Sequence, residues 1–122
     1  MNSKVVPTFE CRIYVGLTEA YDGRQHAVSE VEDVCQAYCD DVGLCVTISP
    51  TTFVYKRGRE DGAVVGLINY PRFPTTPEDL KVKACDLAGR LQAYLGQNRV
   101  SVVCSDKTVM FEVDDPTVQK SV

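Results

Sequence analysis

The side chains best suited to gripping a flat, charged ligand stand in one short run, Asn69-Tyr-Pro-Arg-Phe-Pro74, which supplies an amide, two rings and a guanidinium. Rings stack on a nucleobase, an arginine forks onto phosphate, and an amide reads a base edge or a ribose hydroxyl. Asn69, Arg72 and Phe73 are therefore candidate ligand-binding residues. The alternative is a plain strand exit in which Tyr70 and Phe73 cap the core.

Catalytic constellations are harder to assemble. A phosphodiesterase needs a histidine pair, a metal-binding carboxylate cluster or a nucleophile beside a base. The chain has one histidine, His26, and scattered acids. A single titrating group without an orienter is a poor general base, so His26 is expected to be exposed or bound to ligand, and the protein is expected not to be an enzyme. Asp40-Asp41 sit on one helix about 100° apart and read as solvated charges. Arg57-Gly-Arg59 precedes a strand rather than a helix and lacks the spacing of a phosphate loop. No metal and no cofactor is expected, since no C-x-x-C pair occurs among Cys11, Cys35, Cys39, Cys45, Cys85 and Cys104. The cysteines read as reduced, buried thiols.

The bulk properties narrow the class. A chain of 122 residues suits a single domain over 1–122, with a core over about 8–113 and short flexible termini. The net charge of −4 disfavours bulk nucleic-acid binding, which needs many cations on one face. No apolar run is long enough to span a membrane and no signal-peptide pattern stands at Met1 to Pro7, so a cytoplasmic location is expected.

Elements that could carry these residues follow from periodicity. Phe9 to Leu17 alternates as a half-buried strand, and a polar loop from Thr18 to Ala27 holds Tyr21, Arg24 and His26. Ser29 and Glu32 have the spacing of a capping box that would start a helix ending at Gly43. Leu44 to Ser49 and Thr52 to Lys56 read as two short strands. A turn over Lys56 to Gly62 then leads into a central strand, Ala63 to Tyr70, buried on both faces. Thr76 caps a second helix that begins with Pro77 and stops at Gly96. Arg99 to Ser105 and Thr108 to Val113 form a closing hairpin, with a tail from Asp115-Pro116. The expected fold is α+β, in the order β-α-β-β-β-α-β-β, with two helices covering one face of an antiparallel or mixed sheet.

Cys35-Gln-Ala-Tyr38, Gly43-Leu-Cys-Val-Thr47, Gly58-Arg-Glu-Asp-Gly62, Val65 to Pro74 and Arg99-Val-Ser-Val-Val103 resemble runs in the first-described family of phage Thoeris anti-defence proteins. The similarity reaches from Tyr14 to Met110, and Gly66 to Pro74 is its most specific part. The resemblance implies a non-catalytic sponge that sequesters cyclic ADP-ribose isomers in the host bacterial cytoplasm. It also implies a homo-oligomer, a dimer or hexamer, with some members holding cyclic oligonucleotides at a second site. Position along the chain puts the family's arginines and ring at Arg24, Phe73 and Arg99. A small nucleotide-handling enzyme, phosphodiesterase-like, and an oligomeric adaptor are the alternatives that use the same basic loops.

Overall fold

Alternation in the first strand sets the architecture. Cys11, Ile13 and Val15 are buried while their neighbours face outward, giving β1, Glu10–Gly16. There follow α1 (Val28–Val42), β2 (Thr47–Tyr55), β3 (Gly58–Ile68), α2 (Pro77–Leu95), β4 (Arg99–Cys104) and β5 (Thr108–Glu112). This is a computed structural model, describing residues 1–20 and 22–113. Tyr21 and the tail expected from Asp115 lie outside the described residues.

The five strands form one sheet in the order β2-β3-β1-β4-β5, antiparallel at every junction. The expected α+β class is what the chain adopts. Ala63, Val65 and Leu67 of β3 and Val100 and Val102 of β4 join the buried side of β1. Leu80, Ala84, Leu87, Leu91 and Leu95 of α2 and Val31, Cys35 and Tyr38 of α1 close over them. Each fully buried leucine, isoleucine or valine contributes about 1.5–3 kcal/mol before the entropy of ordering is counted. Among the described residues no element covers the opposite face. Register places Ser49, Val64, Tyr14, Ser101 and Met110 there in one row across the sheet.

The helix stops were set locally and fall as expected. Gly43 and Gly96 adopt left-handed φ values of 69° and 61°, and Thr76 Oγ1 accepts from the Asp79 amide. The start of α1 differs. Its N-cap is Ala27 rather than Ser29, because Glu30 Oε2 reaches back to accept the Ala27 N–H at 2.7 Å. Glu30 therefore supplies the reciprocal half of a capping box without a hydroxyl partner.

The strand pair β2 and β3 departs most from expectation. Leu44 to Lys56 yields one strand, not two. Pro50 is tolerated within it because β2 is at the edge of the sheet, where a missing N–H breaks no inner ladder. The expected turn over Lys56 to Gly62 shrinks to Lys56-Arg57, with Tyr55 opposite Gly58 and Arg57 at φ 63°. Gly58 and Gly62 are strand residues. Cβ atoms there would lie 2.4 Å from the Tyr55 ring and 2.2 Å from the Phe53 ring. These glycines seat aromatic rings of the neighbouring strand.

Candidate functional site

A cleft of about 590 Å³ opens at the sheet end where β1 finishes and β4 begins. Its walls carry Glu19 from the loop after β1, Tyr55, Arg59 and Glu60 from the β2-β3 hairpin, and Gln97 and Arg99 from the α2-β4 connection. These residues come from three separate parts of the chain.

The loop after β1 is held by its own backbone. The His26 N–H donates to Leu17 O at 2.7 Å, that of Glu19 to Arg24 O at 2.8 Å and that of Gly23 to Glu19 O at 3.2 Å. The loop is also tied to the end of α2. The Ala20 N–H donates to Gly96 O at 3.0 Å, and Gln97 Nε2 donates to Thr18 O at 2.8 Å. Gln97 is itself buried, and its second bond from Nε2 goes to Leu95 O. A buried amide that satisfies loop backbone in this way fixes one wall of the cleft.

Glu60 stands beside Gln97 on the cleft lining. Its position depends on Gly16, which in β1 pairs with Gly62 of β3. A Cβ at position 16 would stand 2.5 Å from Glu60 Oε2 and 2.7 Å from Gln97 Oε1. The missing side chain leaves a notch in which the carboxylate and the amide meet above the strand. Thr18 N–H approaches Glu60 Oε2 at 3.4 Å, a long contact that leaves the carboxylate available to a ligand.

The charges on the cleft wall balance, with Glu19 and Glu60 against Arg59 and Arg99. Arg99 also pairs with Glu112 at 3.3 Å. Such a wall suits a ligand carrying both signs, with the Tyr55 ring available to a flat base. Among the described residues no group of three or more metal-ligating side chains occurs.

The residues singled out from the sequence fall into two groups. Arg99 lines this cleft, and Arg24 stands beside it, 3.9 Å from Glu19 with its side chain 69% exposed. Asn69, Arg72 and Phe73 stand at the other end of β1, where Ile68 pairs with Glu10. The seven residues of β1 hold the two groups roughly 20 Å apart at ~3.3 Å per residue. At that far end, Asn69 is buried and its amide is committed: Nδ2 donates to Pro7 O at 2.8 Å and Oδ1 accepts the Thr75 N–H at 2.9 Å. Phe73 is exposed, with the Arg72 guanidinium 5.7 Å from its ring centre, beside a small hollow shared with Tyr70 and Lys83.

Glu19, Tyr55, Glu60 and Gln97 were missed as site residues. Glu60 falls within the turn expected over Lys56 to Gly62, and only the extension of β3 back to Gly58 places it on the cleft lining. His26 is also corrected. Its side chain is 4% exposed and lies between Glu19 and Glu30, so it is neither solvent-facing nor without an orienter.

Neither a family model nor a curated protein matches the sequence. Two solved structures share the fold. A phage SAM lyase in its apo state superposes with a TM-score of 0.76 at 18% identity, over 88% of this chain and 90% of that one. A phage SAM lyase in complex with S-methyl-5'-thioadenosine gives 0.71 at 18% identity, over 93% and 95%. Both neighbours are phage proteins by name, the likeness is one of fold, and their names carry neither Thoeris nor cyclic ADP-ribose. The expectation that the chain is not an enzyme is overturned, because this architecture is one that a lyase uses. Among the described residues no helix is long and apolar enough to cross a membrane.

Proposed function

Starting from a fold shared with a lyase that holds a thioadenosine, we propose that this protein is itself a lyase acting on a nucleoside sulfonium of the S-adenosylmethionine type. The observation that carries the reading is the cleft wall, which Glu19 and Glu60 line together with Arg59 and Arg99. Such a substrate carries a sulfonium, an ammonium and a carboxylate, and each finds an opposite charge there. Tyr55 offers a ring to the adenine.

This chemistry needs neither a metal nor a nucleophile–base pair. A sulfonium already holds a good leaving group. When the bond from sulfur to the amino-acid arm breaks, its electron pair goes to sulfur and neutral S-methyl-5'-thioadenosine departs. The arm's own carboxylate oxygen fills the vacated position, closing a lactone without water. The protein's part is to hold the sulfonium so that the arm's carboxylate lies in line with the breaking bond. Glu60, in the Gly16 notch, is the carboxylate placed for that task.

Capture of a cyclic ADP-ribose isomer, the finer reading that the sequence resemblance carries, meets an electrostatic difficulty in this cleft. A pyrophosphate would face Glu19 and Glu60 with no surplus of cations to offset them. The working setting is taken as cytoplasmic, in keeping with six cysteines that are all free.

The test is incubation with S-adenosylmethionine, with products followed by liquid chromatography and mass spectrometry. S-methyl-5'-thioadenosine should accumulate, and Glu60→Gln should slow it by about a hundredfold, the scale of a misplaced reacting group. Full recovery of the sulfonium alongside tight binding of a cyclic ADP-ribose isomer would overturn the proposal.

A further inference from the structure

We propose that Cys11 and Cys104 form an oxidisable thiol pair, reached through a hollow of its own, which a small peroxide converts into a disulfide fastening β1 to β4.

Register and contact bring the two together. Cys11 of β1 lies directly opposite Cys104 of β4, and their sulfurs are 3.0 Å apart, one thiol donating to the other. The neighbouring Ser105 N–H donates to Glu10 O at 3.1 Å. Glu10 and Ser105 are thus a hydrogen-bonded pair of the ladder, and the cysteines are the non-hydrogen-bonded pair next to it. At such positions the Cα atoms approach to about 4.5 Å and the side chains lie close. That separation is within the range a disulfide spans, so the bond can form without moving either strand. Both strands are inner members of the sheet, which holds the partners in register.

Access is the second observation. Buried thiols are ordinarily inert, and Cys11 is 2% and Cys104 9% exposed. Both nevertheless border a hollow of about 250 Å³ that also touches Phe9 and Pro77 and the ion pair of Lys81 with Asp106. A water molecule takes up about 30 Å³ of liquid, so there is room for a small neutral peroxide, which the apolar walls admit more readily than an ion. Cys45, by contrast, is the exposed thiol, and oxidation that merely followed exposure would begin there. Cys85 of α2 is close enough to act on Cys11 electrostatically and is the competing partner.

The chemistry runs in two steps. Cys104, the more accessible sulfur, attacks one oxygen of the peroxide. The O–O bond breaks, the departing oxygen takes the thiol proton and leaves as water or an alcohol, and Cys104 becomes a sulfenic acid. The Cys11 sulfur then attacks the Cys104 sulfur, the S–O bond breaks, and the hydroxyl leaves as water with the Cys11 proton. Two electrons pass from the thiols to the peroxide. Burial, helped by the bond to Cys104, pushes the Cys11 thiol up to about 12, which suits it to the second step rather than the first.

The bridge joins residues 93 apart in sequence, and closing so long a loop restricts the unfolded chain strongly. The cleft opens at the Gly16 end of β1, roughly 17 Å from Cys11 at ~3.3 Å per residue. Oxidation therefore acts on the persistence of the fold and not on the shape of the cleft.

Reduced protein treated with hydrogen peroxide and digested with trypsin without reductant provides the test. Cleavage after Lys4 and Arg12 releases residues 5–12, and cleavage after Arg99 and Lys107 releases residues 100–107, each with one cysteine. Mass spectrometry should find these two segments joined before Cys45 is modified. The urea midpoint of the bridged protein should rise by on the order of 1 M or more and fall back with a thiol reductant. Cys104→Val, which keeps an apolar side chain in the core, should abolish both the link and the rise, while Cys45→Ser should leave both intact. The peptide map of the wild type stands whether or not the valine variant folds. First oxidation at Cys45, a bridge from Cys11 to Cys85, or a joined pair with an unchanged urea midpoint overturns the proposal.

Discussion

Replacing Gly16 with alanine separates the needs of the fold from those of the site. The new methyl carbon would lie 2.5 Å from Glu60 Oε2 and 2.7 Å from Gln97 Oε1. Restoring an ordinary 3.4 Å contact pushes the Glu60 carboxylate back by about 0.9 Å and the Gln97 carbonyl by about 0.7 Å. Both atoms are the free ends of flexible side chains, so the backbone need not move. Gly16 itself sits at a φ that any residue accepts, and removing a glycine favours folding by about 0.4–1 kcal/mol through the unfolded chain. Against that stands strain on the two Gln97 donations, each contributing about 0.5–1.5 kcal/mol. Stability should therefore change by less than about 1 kcal/mol. The reaction is less forgiving: a 1 Å misplacement of a working group costs about a hundredfold in rate. Urea denaturation and product formation from S-adenosylmethionine, measured on the same preparations, give both quantities. Alanine at position 16 with wild-type stability and wild-type turnover would refute the role given to Glu60. A variant that unfolds would refute the claim that both atoms are free to retreat.

Alkaline pH should weaken the fold. Burial pushes the Cys11 and Cys35 thiols and the Tyr38 hydroxyl up to about 12, so above pH 9 the unfolded chain holds fewer protons than the folded one. The stabilisation they give is whole below pH 9 and is lost as pH climbs toward 12, which should appear as a falling urea midpoint over that range. Asn69→Ala removes an amide that bonds Pro7 and Thr75; it should cost about 2–3 kcal/mol in urea denaturation while leaving nucleoside affinity in the distant cleft unchanged. Tyr14 on the uncovered sheet face, with the exposed rings of Tyr55, Tyr70 and Phe73, leads us to expect at least a dimer. Light scattering that returns a monomer mass at micromolar protein would remove that expectation.

What could be read from the sequence was what neighbouring residues decide among themselves. Thr76 with Pro77, Gly43 and Gly96 mark helix ends through bonds that span only a few residues, and the buried stripe of α2 is a matter of period. Glu60 escaped because its status depends on Tyr55 and Phe53 crossing onto Gly58 and Gly62, a contact between strands that leaves glycines looking like turn residues. His26 escaped for a related reason. Its two carboxylates are brought to it by the closed loop at Glu19 and by the reversed cap of α1 at Glu30, and neither spacing signals that setting. The proline-flanked run after β3 drew attention for its ring and guanidinium. Antiparallel pairing of β1 with β3 then placed it at the opposite end of the sheet from Arg99.

The middle position of β1 in the sheet has a consequence for how the chain is made. On the ribosome this strand emerges before either partner. Its first ladder waits for Gly62 to Ile68 and its second for Ser101 to Cys104, both far along the chain. Cys11, Ile13 and Val15 are thus exposed as an unpaired apolar ribbon for most of synthesis, while α1 has nothing to pack on. Such long-range closure makes for slow folding and a window for self-association. Only when β4 arrives can the nascent ribbon be shielded on both edges.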